Sequence, residues 1–239
     1  NATARTGDVQ VRVDVAERAL TSWLVLDVSP SMTFGTADRR KWDVAEGVAL
    51  AAGHLASRRG NRVGAVTFGG GSALILPPRQ GRAGLLGVLR AVREDPEIEP
   101  AGSTSVGAAL ARVGRVARQR ALVVVVSDFR GPRDWRGPLL RLAARHGVVA
   151  VEIRDPREQE LPSVGHLWLV DPETGRRLQV DTGRRRLRKR FAAAAAEERN
   201  SLAQGLASLG VPHLVLSTGG DWLRPFAEFI DREGGRRRR

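Results

Sequence analysis

Leu24-Val25-Leu26-Asp27-Val28-Ser29-Pro30-Ser31-Met32 is a short apolar run that stops at a carboxylate, with two hydroxyls at alternate positions beyond it. Its length, branching and polar flanks suit a buried strand of a parallel sheet better than a helix. Asp27 then stands at the carboxyl end of that strand, where open α/β sheets bind their ligands. One carboxylate and two serine hydroxyls form a hard, all-oxygen half-shell suited to Mg²⁺ rather than zinc. Alone, Asp-x-Ser-x-Ser is a weak signal, equally readable as a strand end followed by a polar turn.

Two later segments add to it. Gly102-Ser103-Thr104-Ser105 precedes an apolar helical pattern and offers a hydroxyl on a loop, and Val123-Val124-Val125-Val126-Ser127-Asp128 repeats the strand that terminates in an aspartate. Parallel strands bring their carboxyl ends to one edge, so Asp27, Thr104 and Asp128 are expected to converge. This arrangement resembles the von Willebrand factor A fold with its metal-ion-dependent adhesion site. The resemblance places Asp27, Ser29 and Ser31 on the first loop, Thr104 on the second and Asp128 on the third.

The chain has 239 residues, which allows one large α/β domain with an appendage or two small domains. With no cysteine, disulfides, iron–sulfur clusters and thiolate zinc are excluded. The four histidines, His54, His146, His166 and His213, are not paired at metal-ligand spacing. Neither a signal peptide nor an apolar run of the roughly 18 residues that cross a bilayer is visible, and a cytoplasmic location is expected. The chain begins at Asn1 rather than Met, as a piece of a longer protein would.

A net charge of +13 invites a nucleic-acid reading. The basic residues are nearly all arginine and scattered, with two clusters: Arg184-Arg185-Arg186 with Arg188-Lys189-Arg190, and the tail from Arg236 to Arg239. Aromatics make up 5% and include no tyrosine, so base-stacking platforms are not evident. No specific nucleic acid is expected; contact with acidic lipid or an acidic partner is the alternative to a plain solvated face.

Residues 7 to 15 alternate strictly and read as a half-exposed strand, so 1–20 is expected to be the end of an upstream β segment. The main domain then spans 21–232. It is expected to hold a helix over 41–58 with Val44, Val48 and Leu55 inward, a strand over 62–68, a tight turn at Gly69-Gly70-Gly71 and a short antiparallel edge strand over 73–76 stopped by Pro77-Pro78. Further helices are read at 82–93, from beyond Thr104 to about 119, at 131–146, 184–209 and 222–230. The remaining strands are read at 123–128, 148–153 and 213–217. Asp171-Pro172-Glu173-Thr174-Gly175 between two alternating runs signals a β-hairpin, an excursion at about 155–181. The tail, 233–239, is expected to be basic and disordered. The fold expected is a doubly wound, mostly parallel six-stranded sheet with one antiparallel edge strand and helices on both faces.

Hydroxyl ligands are neutral and leave a divalent cation under-neutralised. Asp27 and Asp128 supply charge directly or through oriented waters, and one octahedral position stays open for an outside carboxylate. The stretch from Leu26 to Thr36, then Lys41 and Asn61 to Phe68, is further similar to the bacterial domain-of-unknown-function-58 family, as are Ala4-Arg5 and Glu17-Arg18. That resemblance implies a missing leading segment, which would be a second route to a membrane. It also implies a non-enzymatic adaptor or co-chaperone role beside a MoxR-type AAA+ ATPase, with Mg²⁺ or Mn²⁺ gripping an acidic residue of the ATPase or a client. Two rivals stay open: a Mg²⁺-dependent phosphoryl-transfer or hydrolytic enzyme using Asp27, and a nucleic-acid or membrane-surface binder using the arginines. Haloacid-dehalogenase-like enzymes carry an aspartate where this chain has Ser29, which weighs against the first.

Overall fold

The computed structural model describes residues 21–58, 60–70, 74–80, 86, 87, 89 and 105–236. The readings on 1–20, on Thr104, on most of 82–93 and on the last three residues lie outside these. The strands in chain order are β1 (Thr21–Asp27), β2 (Arg62–Phe68), β3 (Ile75–Gln80), β4 (Ala121–Ser127), β5 (Gly147–Arg154), β6 (His166–Val170), β7 (Arg177–Asp181) and β8 (His213–Ser217). The helices of the described residues are α1 (Lys41–Arg58), α2 (Val106–Val116), α3 (Arg136–Ala143), α4 (Arg185–Ser208) and α5 (Leu223–Arg236).

Six strands form one sheet in the order β3-β2-β1-β4-β5-β8, all parallel except the edge strand β3. Strand side chains alternate between faces, and β1 shows this directly. Leu24 and Leu26 join Val44, Val48, Phe226 and Phe229 under α1 and α5. Trp23 and Val25 join Leu110, Val113, Leu139, Leu142 and Leu206 under α2, α3 and α4. Both faces of the central strands are covered, which is why they read as unbroken apolar runs rather than alternating ones. Strand order reverses between β1 and β4, so the loops after them flank a crevice at the carboxyl edge.

Several readings differ from those expected, among them the helix expected over 131–146, which spans only Arg136–Ala143. β3 runs through Pro77 and Pro78 instead of stopping before them. Proline is tolerated on an edge strand, and the register against β2 shifts between Val63 and Ala65 to take them in. In α1 the inner stripe is Lys41, Val44, Ala45, Val48, Ala49 and Ala56, whereas Leu55 is exposed although it follows Val48 by seven residues and so keeps nearly the same bearing on the helix. α5 continues to Arg236 through two glycines, so residues 233–236 are helical rather than part of a disordered tail. Extending an existing helix adds one hydrogen bond per residue fixed, which offsets the weak propensity of glycine.

β6 and β7 form a separate antiparallel ribbon, with Leu169 opposite Leu178 and Val170 opposite Arg177. Its base is held by Thr182, whose N–H and hydroxyl both donate to the Gly165 carbonyl at 2.7 Å.

Candidate functional site

Asp27 ends β1 and is almost fully buried. Its Oδ1 accepts from the Ser29 N–H at 2.9 Å, and its Oδ2 accepts from the Ser127 hydroxyl at 2.5 Å. The Ser29 and Ser31 hydroxyls lie 2.9 Å apart, at the start of the short 3₁₀ turn Pro30–Thr33. Ser29 itself is extended (φ −63°, ψ 158°), and Pro30 pre-sets the first position of the turn. On the neighbouring strand Asp128 follows β4, and its Oδ1 accepts from the Arg130 N–H at 3.1 Å. Phe129, next in chain, is buried at φ 54°, a left-handed conformation rare for a large non-glycine residue and frequent at functional loops.

Gly69 closes the site from β2. At φ +87° it is in a region that favours glycine, and a Cβ there would lie 2.8 Å from Asp27 Oδ1 and 2.7 Å from Ser29 Cβ. The glycine turn expected from the sequence therefore also lets the backbone approach the serine loop.

Burial and the nearby Asp128 carboxylate push Asp27 up to about 7, although bonds from Ser127 and Ser29 favour its ionised form. Two carboxylates and two hydroxyls gathered at a buried strand edge, with the carboxylates repelling, form a donor set that fits a hard divalent cation. Among the described residues no group of three or more His, Cys, Asp or Glu is placed to hold a metal, so such a site depends on its hydroxyls. Asp27, Ser29, Ser31 and Asp128 are thus brought together as expected; Thr104 lies outside the described residues.

Sequence reasoning missed the residues that brace this edge. Lys41 is fully buried, and its Nζ donates to Asp128 Oδ2 at 2.5 Å and to Glu158 Oε1 at 2.7 Å. A lysine in register with the apolar stripe of α1 was the available signal. Glu158 is fixed by a capping box, its Oε2 accepting from the Asp155 N–H at 3.1 Å. Asp155, after β5, is fully buried and accepts from the Thr36 N–H at 2.7 Å, the Thr36 hydroxyl at 2.5 Å and the Thr218 hydroxyl at 2.7 Å. Burial pushes its carboxyl up, but these bonds outweigh it and hold the group below the usual carboxylate range. The loop after the serines is folded down by Asp155 and again by Asp38, which accepts from the Gly220 N–H at 2.8 Å. Finally, Ser31 N–H donates to Glu173 Oε1 at 3.0 Å, across 142 residues.

Sheet order, crevice and serine loop together define a von Willebrand factor A-like fold. The chain belongs to the family described as "Protein of unknown function DUF58", which it matches over residues 1–201. It is 40% identical over 230 residues to the uncharacterized protein Rv1480 of Mycobacterium tuberculosis, covering 95% of this chain and 72% of that one. Among solved structures it is similar to BatB from Bacteroides thetaiotaomicron, with TM-score 0.59 and 14% identity over 90% of this chain and 98% of that one. An aerotolerance-related membrane protein from Bacteroides fragilis aligns with TM-score 0.52 and 15% identity over 83% and 92% of the two chains. At these identities the likeness shows the fold alone. No helix among the described residues is long and apolar enough to cross a membrane.

Proposed function

We propose that the chain is a non-enzymatic, metal-dependent protein-interaction module. In this reading Asp27, Ser29, Ser31, Thr104 and Asp128 hold Mg²⁺, or Mn²⁺ in its place, and the site grips an acidic residue of a partner. The partner is a MoxR-type AAA+ ATPase or its client, with this chain as adaptor or co-chaperone. The observation that carries the reading is the pairing of two buried carboxylates with two neutral hydroxyls at the switch point of the sheet.

When bound, the cation supplies an electrophilic centre that a carboxylate from outside completes. The chain does the rest. Ser127 and the Ser29 N–H aim both Asp27 oxygens, Lys41 and the Arg130 N–H aim Asp128, and Gly69 leaves the serine loop room. Asp27 is poorly arranged as a nucleophile, because each of its oxygens already accepts a hydrogen bond and the residue two further on is a serine whose hydroxyl meets Ser31. These points favour binding over hydrolysis.

Pull-down of a MoxR-type ATPase from the source organism tests the partner. Capture in Mg²⁺, lost in EDTA and in Ser29→Ala/Ser31→Ala, is expected; capture indifferent to both contradicts the reading. A second reading has its own observation. The basic start of α4 and one face of the hairpin flank an open cleft of about 640 Å³ lined by His166, Gln179, Asp181, Arg184, Arg186 and Arg190, in which Arg184 is paired with Asp181 at 3.2 Å. Contact of this cleft with an anionic membrane surface predicts binding to anionic vesicles that falls steeply with salt and ignores EDTA.

A further inference from the structure

We propose that Glu173, which in this structure holds the Ser31 N–H, becomes the site's own carboxylate ligand when the cation binds, so that an acidic partner segment takes the site by displacing the tip of the β6–β7 hairpin. This rests on the metal-dependent reading above. Glu173 Oε1 already meets the serine loop, accepting the Ser31 N–H at 3.0 Å. In the 3₁₀ turn the Met32 N–H is taken by the Ser29 carbonyl, while the Ser31 N–H, one position earlier, is left for a group from elsewhere in the chain. A carboxylate brought to the Asp27–Ser29–Ser31 loop is the same chemistry as the partner acid the site is built to receive.

The hairpin tip is shaped for this presentation. Asp171 Oδ1 accepts from the Glu173 N–H at 3.0 Å, Oδ2 accepts from the Thr174 hydroxyl at 2.5 Å, and Gly175 turns the chain at φ 67°. The ribbon behind the tip is loosely invested. Trp168, Val170 and Leu178 are each more than half exposed. A two-stranded ribbon is marginal by itself. Firmly tied at Thr182 and touching the site at Glu173, it can swing its tip away without disturbing the sheet. The internal carboxylate shields the site from weak or accidental acids, and a partner must out-compete it.

The experiment is a calorimetric Mn²⁺ titration of the full chain, wild type, Glu173→Ala and Glu173→Gln, with and without millimolar acetate. Amide hydrogen exchange of the 29–33 segment is followed in parallel. The alanine variant is expected to bind Mn²⁺ about tenfold more weakly, to recover with acetate while the wild type ignores it, and to exchange the Ser31 amide faster. Glutamine keeps the acceptor for the Ser31 N–H but not the charge, so it should keep the amide protection and lose the Mn²⁺ affinity, which a merely structural role would not do. Wild-type affinity in the alanine variant with no acetate effect, or unchanged Ser31 exchange, overturns the proposal and leaves the metal reading standing. A wild type that binds no Mn²⁺ overturns the metal reading and this proposal with it.

Discussion

Replacing Lys41 by methionine keeps an unbranched chain of similar volume in the α1 stripe and removes only the ammonium. The lysine side chain is 0% exposed, and its partners Asp128 and Glu158 are 4% and 10% exposed. Both carboxylates lie within 2.7 Å of Nζ and would be left as buried negative charges with Asp27 nearby. Breaking a buried ion pair from one side costs about 3–5 kcal/mol, a large part of the roughly 5–15 kcal/mol that holds a domain folded. At roughly 2–4 °C per kcal/mol for a chain of this size, the melting temperature should fall by roughly 6–20 °C. Urea unfolding in EDTA, followed by tryptophan fluorescence, reads this. Adding Glu158→Gln to Lys41→Met removes one stranded charge and should recover part of the loss, a non-additivity expected of contacting groups. A loss below about 1 kcal/mol, or strict additivity, would refute the argument that the lysine is the internal counter-charge of this edge.

The remaining predictions concern the same edge. Asp27 is held at about 7 in the folded chain against 3.8 ordinarily, so the folded state binds more protons between those values and Asp27 weakens stability as pH rises through that window. The difference in urea midpoint between Asp27→Asn and wild type should therefore grow from pH 4 to pH 7 in EDTA; a flat or shrinking difference would contradict it. Gly69→Ala forces a Cβ against Asp27 and Ser29 at positive φ, and should cost more than about 1 kcal/mol and abolish Mn²⁺ binding in calorimetry. Asp155→Ala removes the acceptor shared by Thr36 and Thr218, and should cost on the order of 3 kcal/mol while hydrogen exchange quickens over residues 33–40.

The two strands that carry aspartates were readable because a parallel strand covered on both faces must be apolar throughout and its end is marked by the first charge. Asp27 and Asp128 follow from that, and with them the crevice. The hairpin was readable from Asp171 and Gly175, whose side-chain acceptor and left-handed conformation are local properties. What the sequence concealed is long-range. Glu173 meets Ser31 across 142 residues and Asp155 meets Thr36 across 119, and no local pattern encodes either pairing. The prolines of β3 were misread as a stop even though the strand was expected at an edge, where a missing N–H costs no ladder bond; the register shift that takes them in is a property of the pairing with β2. Lys41 was legible in principle, as a charge on an apolar stripe, but its two carboxylate partners come from other loops.

The most direct measurement is a calorimetric titration of Mg²⁺ and Mn²⁺ into the full chain beside Asp27→Ala and Ser29→Ala/Ser31→Ala. Saturable binding in the wild type that is lost in both variants is the predicted result. Binding unchanged in the serine double variant, or no binding by the wild type at millimolar metal, would contradict a site built from Asp27 and the two hydroxyls.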